Sequence, residues 1–310
     1  MTRPPDATSR QRITWAEVPD AVRASIERLL GDRVVEAVSQ PGGFSEGLAA
    51  RLRLAGGGRV FVKAASAATV VEFHRREIAV TGRLPAAAPV PRLLATHDDG
   101  AWVALVFEEI DGGLPAQPWR PDEFDLVLSA VTELTGIMTP TPIASLTTPP
   151  RLGGWAHVAV DRLATLSPWA VTHLDALLAL EEHAPQVLAG RTLLHGDLYP
   201  FNLMLAGRRV FVIDWPHAWV GAAHCDLVTL LSSASLSGVD PQPFAERHPL
   251  TRDLDPLQLD VVLALHAGFL LHRATSAGPS ADRNLVNMMT ALGLASVRWL
   301  RQRGESGRFG

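Results

Sequence analysis

The sequence predicts an α+β protein with a small β-rich N-terminal lobe and a larger, mostly helical C-terminal lobe. Three observations carry that prediction. Short β-prone runs separated by glycine-rich turns crowd into residues 1–110, helical periodicity dominates 114–310, and DGG at 111–113 stands where one texture gives way to the other. With 47% hydrophobic and 19% charged residues over 310 positions, the chain can bury a sizeable core, which excludes disorder as its main state.

The elements follow in order. Pro19 to Leu30 reads as a helix stopped by Gly31. Val34–Gln40, Leu48–Ala55 and Arg59–Ala65 alternate as strands around PGGFSEG and GGG turns, and so form an antiparallel meander. Ala67 to Leu84 is helical in pattern, followed by strands at Leu93–Thr96 and Trp102–Ile110. Beyond Gly113, helices are expected over Pro121–Met138, Gly154–Leu166 and Trp169–Leu188, then over 222–236, 256–276 and 280–303. The one strand-like island in this part lies between Leu193 and Trp215.

Charge and composition exclude several function classes. A formal charge of -4 and a pI near 6.3 provide no basic footprint for nucleic acid. The polar N-terminus lacks the apolar stretch of a signal peptide, and the longest apolar run, Val261 to Leu271, is too short to span a bilayer. Cys225 is the only cysteine, so no internal disulfide or cysteine-based zinc site exists. A soluble, cytoplasmic protein is the expectation, with neither nucleic acid nor membrane as partner. Of 28 cationic residues, Lys63 alone is lysine. In an arginine-biased chain, a single compact ammonium within RVFVKAA marks a place suited to a phosphate in a narrow space.

The island reads LLHGDLYPFNLMLAGRRVFVIDW. Leu203–Leu205 and Val210–Ile213 should form a hairpin around AGRR, which brings its outer ends together. Asn202 stands at the entrance and Asp214 at the exit, so their oxygens can meet on one ion. Magnesium suits such a pair, because it takes few protein oxygens and fills its other positions with water and phosphate. Asp197, five residues before Asn202, is then left to accept a hydroxyl proton.

HGDLYPFN followed by VIDW resembles the catalytic loop and metal-binding motif of the aminoglycoside phosphotransferase and choline kinase-like family, small-molecule kinases with a protein-kinase-like bilobal fold. The resemblance runs from about 40 to 300 and implies Asp197 as catalytic base and Asn202 and Asp214 as magnesium ligands. It also implies that His195 and Asp226 support the catalytic loop structurally. Further upstream it assigns the PGGFSEG loop, with Gly42, Gly43 and Ser45, to the nucleotide phosphates. Lys63 would contact the α- and β-phosphates and be oriented by a glutamate, Glu77 in preference to Glu72. WVALVFEEIDGG resembles the hinge at about 107–113, with Phe107 behind the adenine and the main chain of Glu108 and Ile110 facing its edge. Residues 1–110 would then bind nucleotide, and 114–310 would carry the catalytic loop and the acceptor site.

The implied function is magnesium-dependent transfer of the γ-phosphate of ATP or GTP to a small hydroxyl-bearing substrate. The segment from Pro216 to Gly310 holds eight carboxylate residues and eight arginines, a balance that does not advertise a pocket for a polycation. An aminoglycoside, another antibiotic, a sugar or a metabolite alcohol stay open as acceptor. Two other readings use the same residues: a non-catalytic nucleotide-binding pseudokinase, and a hydrolytic metal cluster of His195, His217, His224 and Asp226. Only a short stretch separates Asp214 from Asp226, which leaves no room for a protein-kinase activation segment.

Overall fold

The computed structural model describes residues 12–41, 46–146 and 152–305. They divide into two compact units. One comprises the described residues up to Leu114 together with Phe201–Ala218, and the other Pro115–Pro200 and Trp219 onward.

The N-terminal unit opens with α1 (Asp20–Leu30), then β1 (Val34–Ser39), β2 (Leu48–Leu54) and β3 (Arg59–Ala65), the predicted meander. After α2 (Ala68–Thr81) come β4 (Leu93–Asp98) and β5 (Val103–Glu108), which extend it to a five-stranded antiparallel sheet of order β1-β2-β3-β5-β4. Strand alternation sorts side chains between its two faces. Val60, Val62 and Ala64 of β3 and Ala104 and Val106 of β5 join Leu48, Ala50, Leu52 and Leu54 of β2 beneath Trp15, Val22 and Ile26. Residues of the opposite parity, Val103, Leu105 and Phe107, pack with Phe61 against Val71 and Ile78 of α2. Lys63 shares its parity with Phe61, so its side chain leaves the sheet on the α2 side.

The helical unit begins with α3 (Pro121–Ile137). The single helix expected over 154–166 is a 3-10 turn, Trp155–His157, followed by α4 (Val160–Leu166). The helix expected over 169–188 is three: α5 (Pro168–Thr172), α6 (Leu174–Glu182) and α7 (Ala184–Val187). Pro185 accounts for the break at His183, because proline lacks the N–H that would continue a helix and is tolerated only in a first turn; Pro168 likewise opens α5, at the boundary expected between Leu166 and Trp169. Strand β6 (Thr192–Leu194) then leads into the HGDLYPFN segment.

The hairpin β7 (Leu203–Ala206) and β8 (Arg209–Val212) groups with the N-terminal unit, not with the 114–310 region to which its position in the sequence assigned it. Hydrogen bonds explain this. Gly113 and Leu205 exchange both main-chain bonds (3.0 and 2.7 Å), and the Val212 N–H donates to the Pro89 carbonyl at 2.8 Å. A Cβ at Gly112 would run into the Leu205 carbonyl, so the close approach requires glycine. Gly207, at φ 61°, starts the two-residue turn between Ala206 and Arg209.

The chain resumes the helical unit with β9 (Trp219–Gly221), which pairs antiparallel with β6, and continues through α8 (Cys225–Ala234), α9 (Gln242–Arg247), α10 (Pro256–Thr275) and α11 (Arg283–Glu305). Helix α10 is buried on nearly every side, as its unbroken apolar run requires, and α6, α8 and α11 pack on it. No helix among the described residues is long and apolar enough to cross a membrane.

Candidate active site

Within the N-terminal unit the site is built around Lys63. Its register partners, Ala49 on β2 and Leu105 on β5, fix its place in the sheet. From α2, Glu77 meets it with both carboxylate oxygens, at 2.8 and 2.9 Å from Nζ. Glu77 is 2% exposed. On α2, Val70, Val71, His74, Glu77 and Val80 form the buried stripe, spaced three and four apart, which turns Glu77 inward and leaves Glu72 outside. A third contact joins Lys63 Nζ to Asp214 Oδ1 at 2.9 Å. Burial pulls the lysine pKa down; Asp214 and then Glu77 outweigh it and push the pKa up, so the ammonium stays charged.

Asp214 leaves β8 in the left-handed region at φ 69°, alone in this among non-glycine residues described. The main chain on either side explains how it is held there. Before it, the Ile213 N–H donates to the Asn202 carbonyl at 3.0 Å, which extends the Leu203↔Val212 register and sets Asn202 beside the strand exit. After it, the fully buried Trp215 donates its indole N–H to the Val212 carbonyl at 3.0 Å and its main-chain N–H to Glu77. Asn202 is 3% exposed, whereas the Asp214 side chain is 45% exposed. An amide oxygen and a carboxylate are hard donors that fit magnesium, and they leave the rest of its shell to water and phosphate. Among the described residues, no group of three or more His, Cys, Asp or Glu side chains is gathered to hold a metal, which removes the support for a hydrolytic cluster.

Within the helical unit, Asp197 lies on the loop after β6 and is partly exposed. Its N–H donates to Nδ1 of the fully buried His195 at 3.2 Å, and its carbonyl accepts from the Tyr199 N–H at 3.0 Å. Asp226, in the first turn of α8, accepts from the His195 N–H at 2.6 Å and the Gly196 N–H at 3.0 Å. Burial raises the Asp226 carboxyl to about 6, with the two N–H groups pulling the other way.

The sequence profile of the phosphotransferase enzyme family matches residues 42–259. The chain belongs to that family. Solved structures with the same fold include a thermostable mutant of aminoglycoside phosphotransferase APH(4)-Ia in a ternary complex with ADP and hygromycin B. It is 17% identical, has a TM-score of 0.56, and the match covers 91% of this chain and 98% of that one. A choline/ethanolamine kinase family protein from Mesorhizobium loti is 18% identical with a TM-score of 0.58, over 94% and 97% of the two chains. A fructosamine-3-kinase homologue from Thermobifida fusca gives 18% and 0.56, over 90% and 99%. These likenesses establish a protein-kinase-like fold. A curated relative, the LicA homolog of Mycoplasma capricolum, is 25% identical over 139 residues, 43% of this chain; the chain spans about half (51%) of that protein's length.

The other positions singled out in this phosphotransferase family member fall as follows. Phe107 is buried on β5, its ring centroid 5.9 Å from Lys63 Nζ. The Glu108 N–H donates to the Arg92 carbonyl at 3.0 Å, and its carboxylate pairs with the Arg92 guanidinium at 2.8 Å. The Ile110 carbonyl accepts from the Gly112 N–H at 3.0 Å. Gly42, Gly43 and Ser45 lie outside the described residues. Three site neighbours escaped the sequence reading. His74, one turn before Glu77, is buried and its pKa is lowered to about 4, first by burial and then by the Lys63 charge; its place on the α2 stripe was the available signal. Trp215 was visible only as the residue after Asp214. Arg12 carries a guanidinium whose pKa is lowered by burial, with the charge of Asp214 opposing, and nothing local in the sequence points to it.

Proposed function

We propose that this phosphotransferase moves the γ-phosphate of a nucleoside triphosphate to a hydroxyl of a small molecule, in a magnesium-dependent reaction. The observation that carries the reading is Lys63, a buried and charged ammonium held by Glu77 on one side and Asp214 on the other. Such a lysine has its position fixed by carboxylates while its charge is directed at phosphate oxygens. Asn202 and Asp214 would hold magnesium, which when bound neutralises charge on the phosphates. The main chain of Glu108 and Ile110, with Phe107 behind, would take the base, and Gly42, Gly43 and Ser45 the phosphates. Residues 1–110 would thus serve the nucleotide and 114–310 the acceptor and catalytic loop, with the β7–β8 hairpin supplying the metal ligands to the N-terminal unit.

Asp197 would orient the acceptor hydroxyl and take its proton as the nucleophile attacks. His195 and Asp226 would support it by accepting main-chain N–H groups of the loop. Structures of similar fold hold ADP with hygromycin B in one case and GDP with kanamycin in another, so both ATP and GTP stand as donors. The even balance of carboxylates and arginines after Pro216 favours an acceptor with few amines, such as a sugar or metabolite alcohol, over a polyamine antibiotic.

The test is nucleotide turnover with and without magnesium, followed by a screen of hydroxyl compounds for a nucleotide-dependent gain of one phosphoryl mass. Asp197→Ala should lower turnover by about 10²–10⁴ while nucleotide still binds. Undiminished turnover in that variant, or wild-type turnover indifferent to magnesium, would overturn the assignment.

A further inference from the structure

We propose that His266 is a positioning residue for phosphoryl transfer, which anchors the far side of the catalytic loop through Tyr199 and is itself held by Ser296 and Ser232. The proposal rests on the functional reading above and extends it to residues deep in the helical unit. The Tyr199 hydroxyl lies 2.6 Å from His266 Nε2. His266 Nδ1 lies 2.8 Å from Ser296 Oγ, which lies 2.7 Å from Ser232 Oγ. The catalytic loop is thereby tied in one unbroken line to α10, α11 and α8.

Each of these side chains is at most 5% exposed. Water is thus poorly placed to substitute for a missing partner, and each deletion removes a buried hydrogen bond from the next member of the line. The imidazole is neutral, since burial lowers its pKa to about 4. A neutral ring donates from one nitrogen and accepts at the other, so it can serve the phenol on one side and the serine on the other without a buried charge.

The line matters because of where it meets the loop. Asp226 secures the start, through the His195 and Gly196 N–H groups. Tyr199 lies two residues beyond Asp197, and its own N–H donates to the Asp197 carbonyl. Asp197 is thus flanked by two anchors, one carboxylate and one phenol. A buried tyrosine that merely satisfies its hydroxyl would affect stability alone. A positioning line must affect turnover with little change in nucleotide affinity, since it acts on the segment that carries the base.

Tyr199 is the only tyrosine in the chain, so protein labelled with ¹³C at the tyrosine ζ carbon carries a single resonance that reports on this bond. The experiment measures kcat, nucleotide KM and that resonance in His266→Leu, His266→Gln, Ser296→Ala and Tyr199→Phe. His266→Leu and Tyr199→Phe should each lower kcat by about 10- to 100-fold with KM within about twofold, and the double variant should lose no more than either. His266→Gln, whose amide both donates and accepts, should recover part of the loss. Ser296→Ala leaves the ring in place and should move the tyrosine resonance from one bond away; it also serves if His266→Leu does not fold. Wild-type kcat in folded His266→Leu or Ser296→Ala, or losses that add in the double variant, would overturn the proposal. Should the wild-type protein show no magnesium-dependent turnover, the functional reading itself fails. The anchor is then judged by amide exchange over residues 195–202: faster exchange in Ser296→Ala supports it, and unchanged exchange overturns it.

Discussion

Replacing Asp226 by asparagine separates what this carboxylate does for the loop from what it does for the fold. Burial raises its pKa from 3.8 to about 6. The folded state thus binds the proton more tightly than the unfolded chain, so the stability contributed by this group is full below about pH 3.8 and is lost as pH rises through about 6. Two pKa units correspond to about 3 kcal/mol, the cost of keeping the group ionised at pH 7. Asp226→Asn removes that cost. It also turns an NH₂ toward one of the two main-chain N–H groups now bonded to the carboxylate, and an unsatisfied buried donor costs about 1–3 kcal/mol. The two terms nearly cancel, so urea unfolding at pH 7 should place the variant within about 2 kcal/mol of wild type. From pH 7 to pH 5 the wild-type protein should gain about 1 kcal/mol from this group, and the variant should not. Turnover should nevertheless fall by about 10- to 100-fold, because the loop has lost one of its ties beside Asp197. Wild-type turnover in the variant would refute the argument, as would a loss of more than about 4 kcal/mol with the pH dependence intact. The same reasoning predicts that wild-type turnover declines on the acid side near pH 6, where the protonated carboxyl becomes the poorer acceptor for two N–H groups.

Other perturbations test the N-terminal unit. Lys63→Met strips Glu77 of its buried partner and should cost about 3–5 kcal/mol by denaturant unfolding, with nucleotide KM raised at least about tenfold. Unchanged KM would remove Lys63 from the phosphate site. Asp214→Ala should abolish magnesium-dependent nucleotide binding in calorimetry while leaving magnesium-free binding measurable. Gly112→Ala forces a Cβ into the Leu205 carbonyl and should destabilise the unit by about 1–3 kcal/mol in a thermal melt, whereas Gly113→Ala, with open space at its Cβ, serves as the control.

Much of the N-terminal unit was legible because its signals are local. Alternation over RVFVKAA marked the strand that carries Lys63, and the family resemblance preferred Glu77 to Glu72, which the buried face of α2 separates. The β7–β8 hairpin and its two polar ends were legible for the same reason. The helical unit yielded less. An apolar stretch reads alike whether it is one helix or three, and the breaks at His173 and His183, Pro185 included, were outweighed by the periodicity around them. The pairing of β6 with β9 was hidden, since each strand has three residues and they are joined only by main-chain bonds across an intervening hairpin.

The site residues divide along the same line. Asp197, Asn202 and Asp214 occupy one short stretch, and each has a polar side chain whose chemistry can be named from its type. His266 and Ser296 lie 67 and 97 positions beyond Tyr199, inside helices whose sequences read simply as core. Nothing in the sequence distinguishes a histidine that fills space from one that holds a loop, because the difference lies in what stands 2.6 Å away. A group that meets substrate must be of a particular kind and is visible as such. One that only aligns its neighbour can be any donor–acceptor of the right length, supplied from any helix that passes nearby. Positioning residues are therefore the part of an active site that a single sequence conceals most completely, and the buried polar lines running away from a catalytic loop are where a structure makes them visible.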